Sequence, residues 1–267
     1  MTPFQKAVKY IAVALAVVLI AAILGGILSV VGVIGLIDNA DGVAEEVKTY
    51  PVSKTVRELQ LQISAADLTV EVGEHFSVES NLKNLTVSEI NGVLTVREKD
   101  TLFKNYSGAV LKLTVPENFV FASAKVETGA GRVRIDALSA EVLELELGAG
   151  EVTIGQLYAT HSAELEGGAG KITIGGGSLH NLQLDMGVGQ MNLTSALLGS
   201  SELNLGVGET NLQLIGTQED YTVLVEKGIG NATVAGVEIG NEDRHGTGEN
   251  RVEITGGVGA IRVDFQH

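Results

Sequence analysis

From Val126 almost to the C-terminus the chain repeats one short pattern seven times: an apolar-alternating run, a Gly-x-Gly, then a second alternating run. The copies read VETGAGRVRI, LELGAGEVTI, LEGGAGKITI, LDMGVGQMNL, LNLGVGETNL, VEKGIGNATV and ITGGVGAIRV. Their first glycines are Gly129, Gly148, Gly168, Gly187, Gly206, Gly228 and Gly257, at steps of 19, 20, 19, 19, 22 and 29 residues. Self-similarity at a nearly fixed period of this length identifies a solenoid, each repeat forming one coil stacked on the next. No single coil can bury its apolar face alone, so stability has to accumulate along the stack.

The spacing inside each copy makes the coil β. Residues two apart share a face of a strand. Three residues before the first glycine stand Val126, Leu145, Leu165, Leu184, Leu203, Val225 and Ile254, and six residues after it stand Ile135, Ile154, Ile174, Leu193, Leu212, Val234 and Val263. Position plus four is nearly as apolar, and the residue between the glycines is always Ala, Val or Ile. These columns are expected inside, with residues such as Arg132, Glu151, Thr153 and Lys171 outside. Aromatics make up only 4% of the chain and Trp is absent, which suits a thin aliphatic core. Seven glycine pairs in register with those columns mark a corner where the backbone needs positive φ or passes close to the next coil. A phosphate loop is a poor reading, because no strand-to-helix transition follows the glycines. The calcium-binding nonapeptide repeat is disfavoured by Val133, Val152, Ile172 and Met191 where its Asp would stand.

Upstream, LQLQISAADLTVEV reads as a degenerate copy, with Ser64, Ala65 and Ala66 in place of Gly-Ala-Gly. NGVLTV around Leu94 and AVLKLTVP ending at Pro116 follow at looser spacing. Residues 51–121 are expected to form a cap and irregular first coils, and 122–267 the regular repeats. The stretch from Gly240 to Asn250 has the composition of a solvated loop. Extra apolar residues near Leu138, Leu157 and Val237 allow a third short strand per coil.

The chain begins differently. Residues 11–37 carry no charge and would span about 40 Å as a helix, against a hydrocarbon core of about 30 Å. They are expected to form a single transmembrane α-helix, behind a cytoplasmic stub at 1–10 and ahead of a linker at 38–50. Lys6 and Lys9 precede the helix, whereas Asp38, Asp41, Glu45 and Glu46 follow it, so the N-terminus is expected in the cytoplasm and the solenoid outside. The expected fold is therefore all-β, a solenoid of about 19–20 residues per coil behind one helix, with the lipid bilayer as a partner.

Net charge is −15, and apart from Lys6 and Lys9 the chain sets 16 basic residues against 33 acidic ones. Such a surface repels nucleic acid and anionic membrane. There is no cysteine, hence neither disulfide nor thiolate metal site. The five histidines lie in no metal-helix or nucleophile motif. Neither enzymatic activity nor a cofactor is expected.

One outward column could carry function. Two residues before the first glycine stand Glu127, Glu146, Glu166 and Asp185, followed by Asn204, Glu226 and Thr255. Like charges on adjacent strands repel. A cationic ligand, Ca²⁺ or a basic partner surface would offset that repulsion; so would solvation helped by Lys125. The mixed ladder Arg132, Glu151, Lys171, Gln190 and Glu209 reads as support for strand register.

AVLKLTVP, the ETGAGRVRI-type units and the N-terminal span together resemble a bacterial family of provisionally named adhesins of unknown function, over residues 51–265. The resemblance implies a β-solenoid in the cell envelope and an unidentified envelope or surface ligand, and it transfers no site residue to this chain. The expected function is a surface binding or adhesin-like module, with a regulatory or scaffold role at another membrane protein as the alternative. A homo-oligomer is compatible with both.

Overall fold

The two inward columns of each repeat differ in parity. Positions minus three and minus one share one face of the incoming strand, while plus four and plus six share the inward face of the outgoing one, so a one-residue phase slip must be absorbed between them. The second glycine absorbs it. Gly131, Gly150, Gly170, Gly189, Gly208, Gly230 and Gly259 all hold φ between +138° and +149°, a conformation that L side chains rarely adopt.

The computed structural model describes residues 42–53, 55–99, 106–240 and 243–266. The chain divides into two units, 1–42 with 101–107 and 43–100 with 108–267, and the second holds the repeats. The helix expected over 11–37 lies outside the described residues. Among the described residues no helix is long and apolar enough to cross a membrane, and one 3₁₀ turn, Gln218–Asp220, is the helical content.

Consecutive coils pair in parallel and in register. Leu184 lies opposite both Leu165 and Leu203, and Gly189 opposite both Gly170 and Gly208. Leu145, Leu165, Leu184 and Leu203 form one buried column, and Ile135, Ile154, Ile174 and Leu193 another. A third short ladder joins Ala159 to Leu179 and Leu179 to Leu197, all three buried; Val237, by contrast, is 61% exposed.

The residue between the glycines does not join the core. Ala130 and Ala149 are exposed and Ile229 is 39% exposed, whereas Leu147 and Met186, one residue before the first glycine, are buried. The phase slip falls after that position, so the inward alternation runs one step further than the apolar composition of the corner suggested.

The stacking order departs from chain order at both ends. Glu58–Ala65 and Asp67–Gly73 stack directly on Phe121–Ile174, with Leu61 opposite Val126, Ala65 opposite Ala130, Leu68 opposite Val133 and Val70 opposite Ile135. This is the register implied by reading Ser64-Ala65-Ala66 as a glycine corner. The next level outward is split between Val93–Glu98, on Leu59 and Leu61, and Val110–Pro116, on Leu68 and Val70. Residues 43–50, within the expected linker at 38–50, join Pro51 in the strand Val43–Pro51, which pairs antiparallel with Ser77–Leu82. Phe76, Phe119 and Phe121 meet edge to face, two of their centroid pairs at 4.8 Å, so part of the small aromatic complement gathers at this end.

At the other end the last repeat is not last in space. Asn250–Gln266 pairs with Ser200–Ile215 on one side, Leu203 opposite Ile254, and with Tyr221–Glu226 on the other, Val225 opposite Ile254. The Gly257 coil therefore sits between the Gly206 and Gly228 coils, which corrects the coil-by-coil succession expected from the sequence. The 22- and 29-residue steps are the extra chain needed to pass one level and come back. The loop expected over 240–250 is also partly strand: Asp243–His245 pairs antiparallel with Tyr221–Glu226, covering an edge of the terminal coil that would otherwise be open to pairing with another chain.

Candidate functional site

Positions minus two, minus one and zero of successive coils line a continuous groove of about 860 Å³, which runs from Gln62–Ser64 to Thr255–Gly257. It crosses seven coil levels, about 30 Å at 4.8 Å per strand. Glu127, Glu146, Glu166 and Asp185 form one wall, joined by Asn204 and Thr255. Ile63, Leu147 and Met186, all buried, and the half-buried Leu205 form the floor. The other wall is the glycine column from Gly129 to Gly257, which is bare backbone.

That wall cannot carry side chains. A Cβ on Gly148 would fall on the carbonyl oxygen of Gly129, one on Gly168 on that of Gly148, and one on Gly257 on that of Gly206. The same close approach that stacks the coils thus keeps the groove open.

All four acidic residues singled out in the sequence stand on this wall, in two different settings. Lys125 Nζ donates to Glu127 Oε1 at 2.9 Å and to Glu146 Oε1 at 2.8 Å, and it also bonds Glu144. These bonds push the lysine pKa up, through Glu144 first and then Glu146 and Glu127. Lys125 in turn holds the Glu146 carboxyl below its ordinary value. Glu166 and Asp185 pair across adjacent strands and form no ion pair with any cationic side chain among the described residues.

A second acidic column escaped the sequence reading. Four residues before the first glycine stand Lys125, Glu144, Glu164, Gln183, Glu202, Leu224 and Glu253, acidic in four of the seven coils. Facing outward on the same strands, it widens the acidic face. Its spacing of 19 or 20 residues from Lys125 to Glu202 could have disclosed it, but the carboxylates nearest the glycines mask it in the repeat pattern. Among the described residues the mixed ladder contributes no ion pair between its own members; Arg132 instead reaches Asp67, 3.4 Å from Nη1 to Oδ2. Among the described residues no three acidic or histidine side chains converge on a common metal position.

Lys125 is the shared counter-ion of three carboxylates, and its removal leaves them facing one another. Lys125→Met is expected to destabilise the fold by about 1–2 kcal/mol, small because the groups are a third exposed and screened by water. The sign with pH follows from the two shifts. A carboxylate lowered in the folded state contributes stability above its ordinary value of 4.5 and loses it as pH falls through the folded value. A lysine raised in the folded state contributes below its ordinary value of 10.5 and loses it above. Thermal melts of both proteins should therefore differ near pH 7 and converge in acid, once Glu146 is protonated.

A profile of the family described as Toastrack DUF4097 matches residues 53–265. The chain belongs to that family. No curated protein matches it. Among solved structures, a provisionally named adhesin from Bacteroides fragilis is 13% identical, with 82% of this chain and 98% of that chain covered and a TM-score of 0.51. A provisionally named adhesin from Parabacteroides distasonis is 15% identical over 86% of this chain and 100% of its own, with a TM-score of 0.39. A provisionally named lipid-binding protein from the same species is 13% identical over 83% and 96%, with a TM-score of 0.33. Of these three, the Bacteroides structure alone is near enough to inform the architecture, and at that identity the likeness concerns the fold alone. The Toastrack match spans both the split outer coil and the inserted last coil, so family and groove occupy the same stretch of chain.

Proposed function

We propose that this Toastrack protein is a non-enzymatic binding module of the cell surface, adhesin-like, held to the membrane by residues 11–37 with its solenoid outside the cytoplasm, and that the corner groove is its contact surface. The observation that carries the reading is the groove's continuity: seven coil levels line it, with carboxylates on one wall at four of them, apolar side chains in the floor at four, and bare backbone from Gly129 to Gly257 as the other wall. Carboxylates, aliphatic groups and backbone are an inventory for recognition by contact. The adhesin name of the Bacteroides fragilis structure is in keeping with this role.

Photo-crosslinking in living cells tests it, with probes at Asn204 in the groove and at the exposed Thr153 outside it. Capture of a wall polymer or foreign surface component from Asn204 and not from Thr153 is the expected result. Capture of a single membrane protein from Asn204 would move the protein to the regulatory or scaffold alternative. Capture from Thr153 alone would remove the groove from its function.

A further inference from the structure

Resting on the groove reading, we propose that the groove takes a linear aliphatic polyamine, with its ammonium groups on the acidic wall beside Gln183 and its methylenes along the apolar floor. The protein already carries one half of this interaction within itself. Lys125, at position minus four, is an alkylammonium seated among the minus-two carboxylate of its own coil and the minus-four and minus-two carboxylates of the next, Glu127, Glu144 and Glu146. A related arrangement stands two coils beyond that one, with its sense reversed, because Asn204 occupies minus two of the following coil and the second pair of carboxylates comes from the preceding one. Gln183, again at minus four, lies opposite Glu164 on one side and Glu202 on the other. Asp185, at minus two of the same coil, lies opposite Glu166. Here the ammonium is replaced by a neutral amide, and none of these four carboxylates forms an ion pair among the described residues.

Charge and spacing together select the ligand. Glu166 and Asp185 stand on adjacent strands, about 4.8 Å apart. Two ammonium nitrogens joined by three methylenes lie about 5 Å apart when extended, given single bonds of about 1.5 Å, so a trimethylene diamine unit places one cation per coil. The carbons between them would lie over Met186, against a wall where Gly168 and Gly187 offer no side chain to obstruct a thin chain. A hydrated divalent ion would match the charge but leave the floor uncovered, and a folded basic protein surface would neutralise the acidic rim without laying methylenes along the floor.

Calorimetric titration of the full-length chain with spermidine tests the inference, alongside trimethylenediamine, pentamethylenediamine and MgCl₂ at equal ionic strength. Spermidine is expected to bind, and trimethylenediamine more tightly than pentamethylenediamine. Gln183→Lys should place the protein's own ammonium among the same carboxylates, weakening spermidine about tenfold or more, the order expected for loss of a charge-assisted contact, while raising the melting temperature. Equal spermidine binding by Gln183→Lys and wild type overturns the proposal, as does binding of MgCl₂ as tight as that of spermidine, or no spermidine binding at all. If spermidine fails while the Asn204 probe still captures a surface component, the polyamine inference falls and the groove reading stands.

Discussion

Gly208→Val is expected to unfold much of the coil stack, with a loss of more than about 4 kcal/mol, and to leave a chain that melts early in denaturant or is recovered insoluble. Two causes act at one atom. Gly208 holds φ at +148°, which a β-branched side chain adopts only at a cost of about 1–3 kcal/mol. The new Cβ would also fall on the carbonyl oxygen of Gly189 in the coil beneath, so the parallel ladder between the two coils must part to admit it. The position is central, with Gly189 paired on one side and Gly259 on the other, and in a nearest-neighbour stack a lost interface divides the array. Gly236→Ala is the control. Gly236 also has positive φ, +74°, but a Cβ there meets nothing within 4 Å, so the cost should be about 1 kcal/mol. Equal losses in the two variants, read from urea melts, would show that backbone strain and not coil-to-coil contact sets the requirement for glycine.

The same geometry explains why the first coil can dispense with glycine. In each regular coil the Cβ direction at the corner points toward the preceding coil in space, as Gly148 points at Gly129 and Gly129 at Ser64. Ser64 and Ala66 carry side chains because, among the described residues, the outer level is split there: Val93–Glu98 ends before the corner and Val110–Pro116 begins after it. The buried Glu98 carboxylate accepts the Ser64 N–H at 2.8 Å in place of a strand carbonyl.

Much of this was legible because a solenoid repeats its constraints. Columns such as Leu145, Leu165 and Leu184 expose the period, the facing side and the register at once, and even the degenerate copy at 61–70 keeps them. Spatial order was not legible at the ends, because parallel pairing in this stack is specified by matching aliphatic columns, and Ile254 matches Leu203 as well as Val225 does. Only the lengths of the last two steps hinted at the inversion. At the site, the acidic column could be read from one repeat position, but not that it borders a groove. That depends on where the phase slip falls at the corner, which turns Leu147 and Met186 inward and leaves Ala149 and Val188 on the ridge. Nor could the sequence show that Lys125 serves three carboxylates, since its partners come from two coils.

The inverted order at the C-terminal end makes the last strand a wedge, and removing it should do more than shorten the stack. A chain ending at Glu249 is expected to lose hydrogen-exchange protection throughout 221–234, although every one of those residues is still present. In the intact protein Tyr221–Glu226 and Ala232–Val234 take their parallel pairing from Asn250–Gln266, and Tyr221, 1% exposed, packs on Phe265 with ring centroids 5.9 Å apart. Without that strand the terminal coil keeps, among the described residues, two short antiparallel pairings, Tyr221–Glu226 with Asp243–His245 and Ala232–Val234 with Val237–Glu238, too little for a coil that cannot bury its apolar face alone. Truncation also bares the edge of Ser200–Ile215, long and parallel-paired on its other face, a template for pairing between chains. Exchange measured by mass spectrometry, with light scattering on the same samples, should therefore show a deprotected 221–234 and concentration-dependent association. Coils stacked in chain order would predict the opposite, a shortened but closed stack in which 221–234 keeps its protection on the Gly206 coil, and that result would refute the wedge.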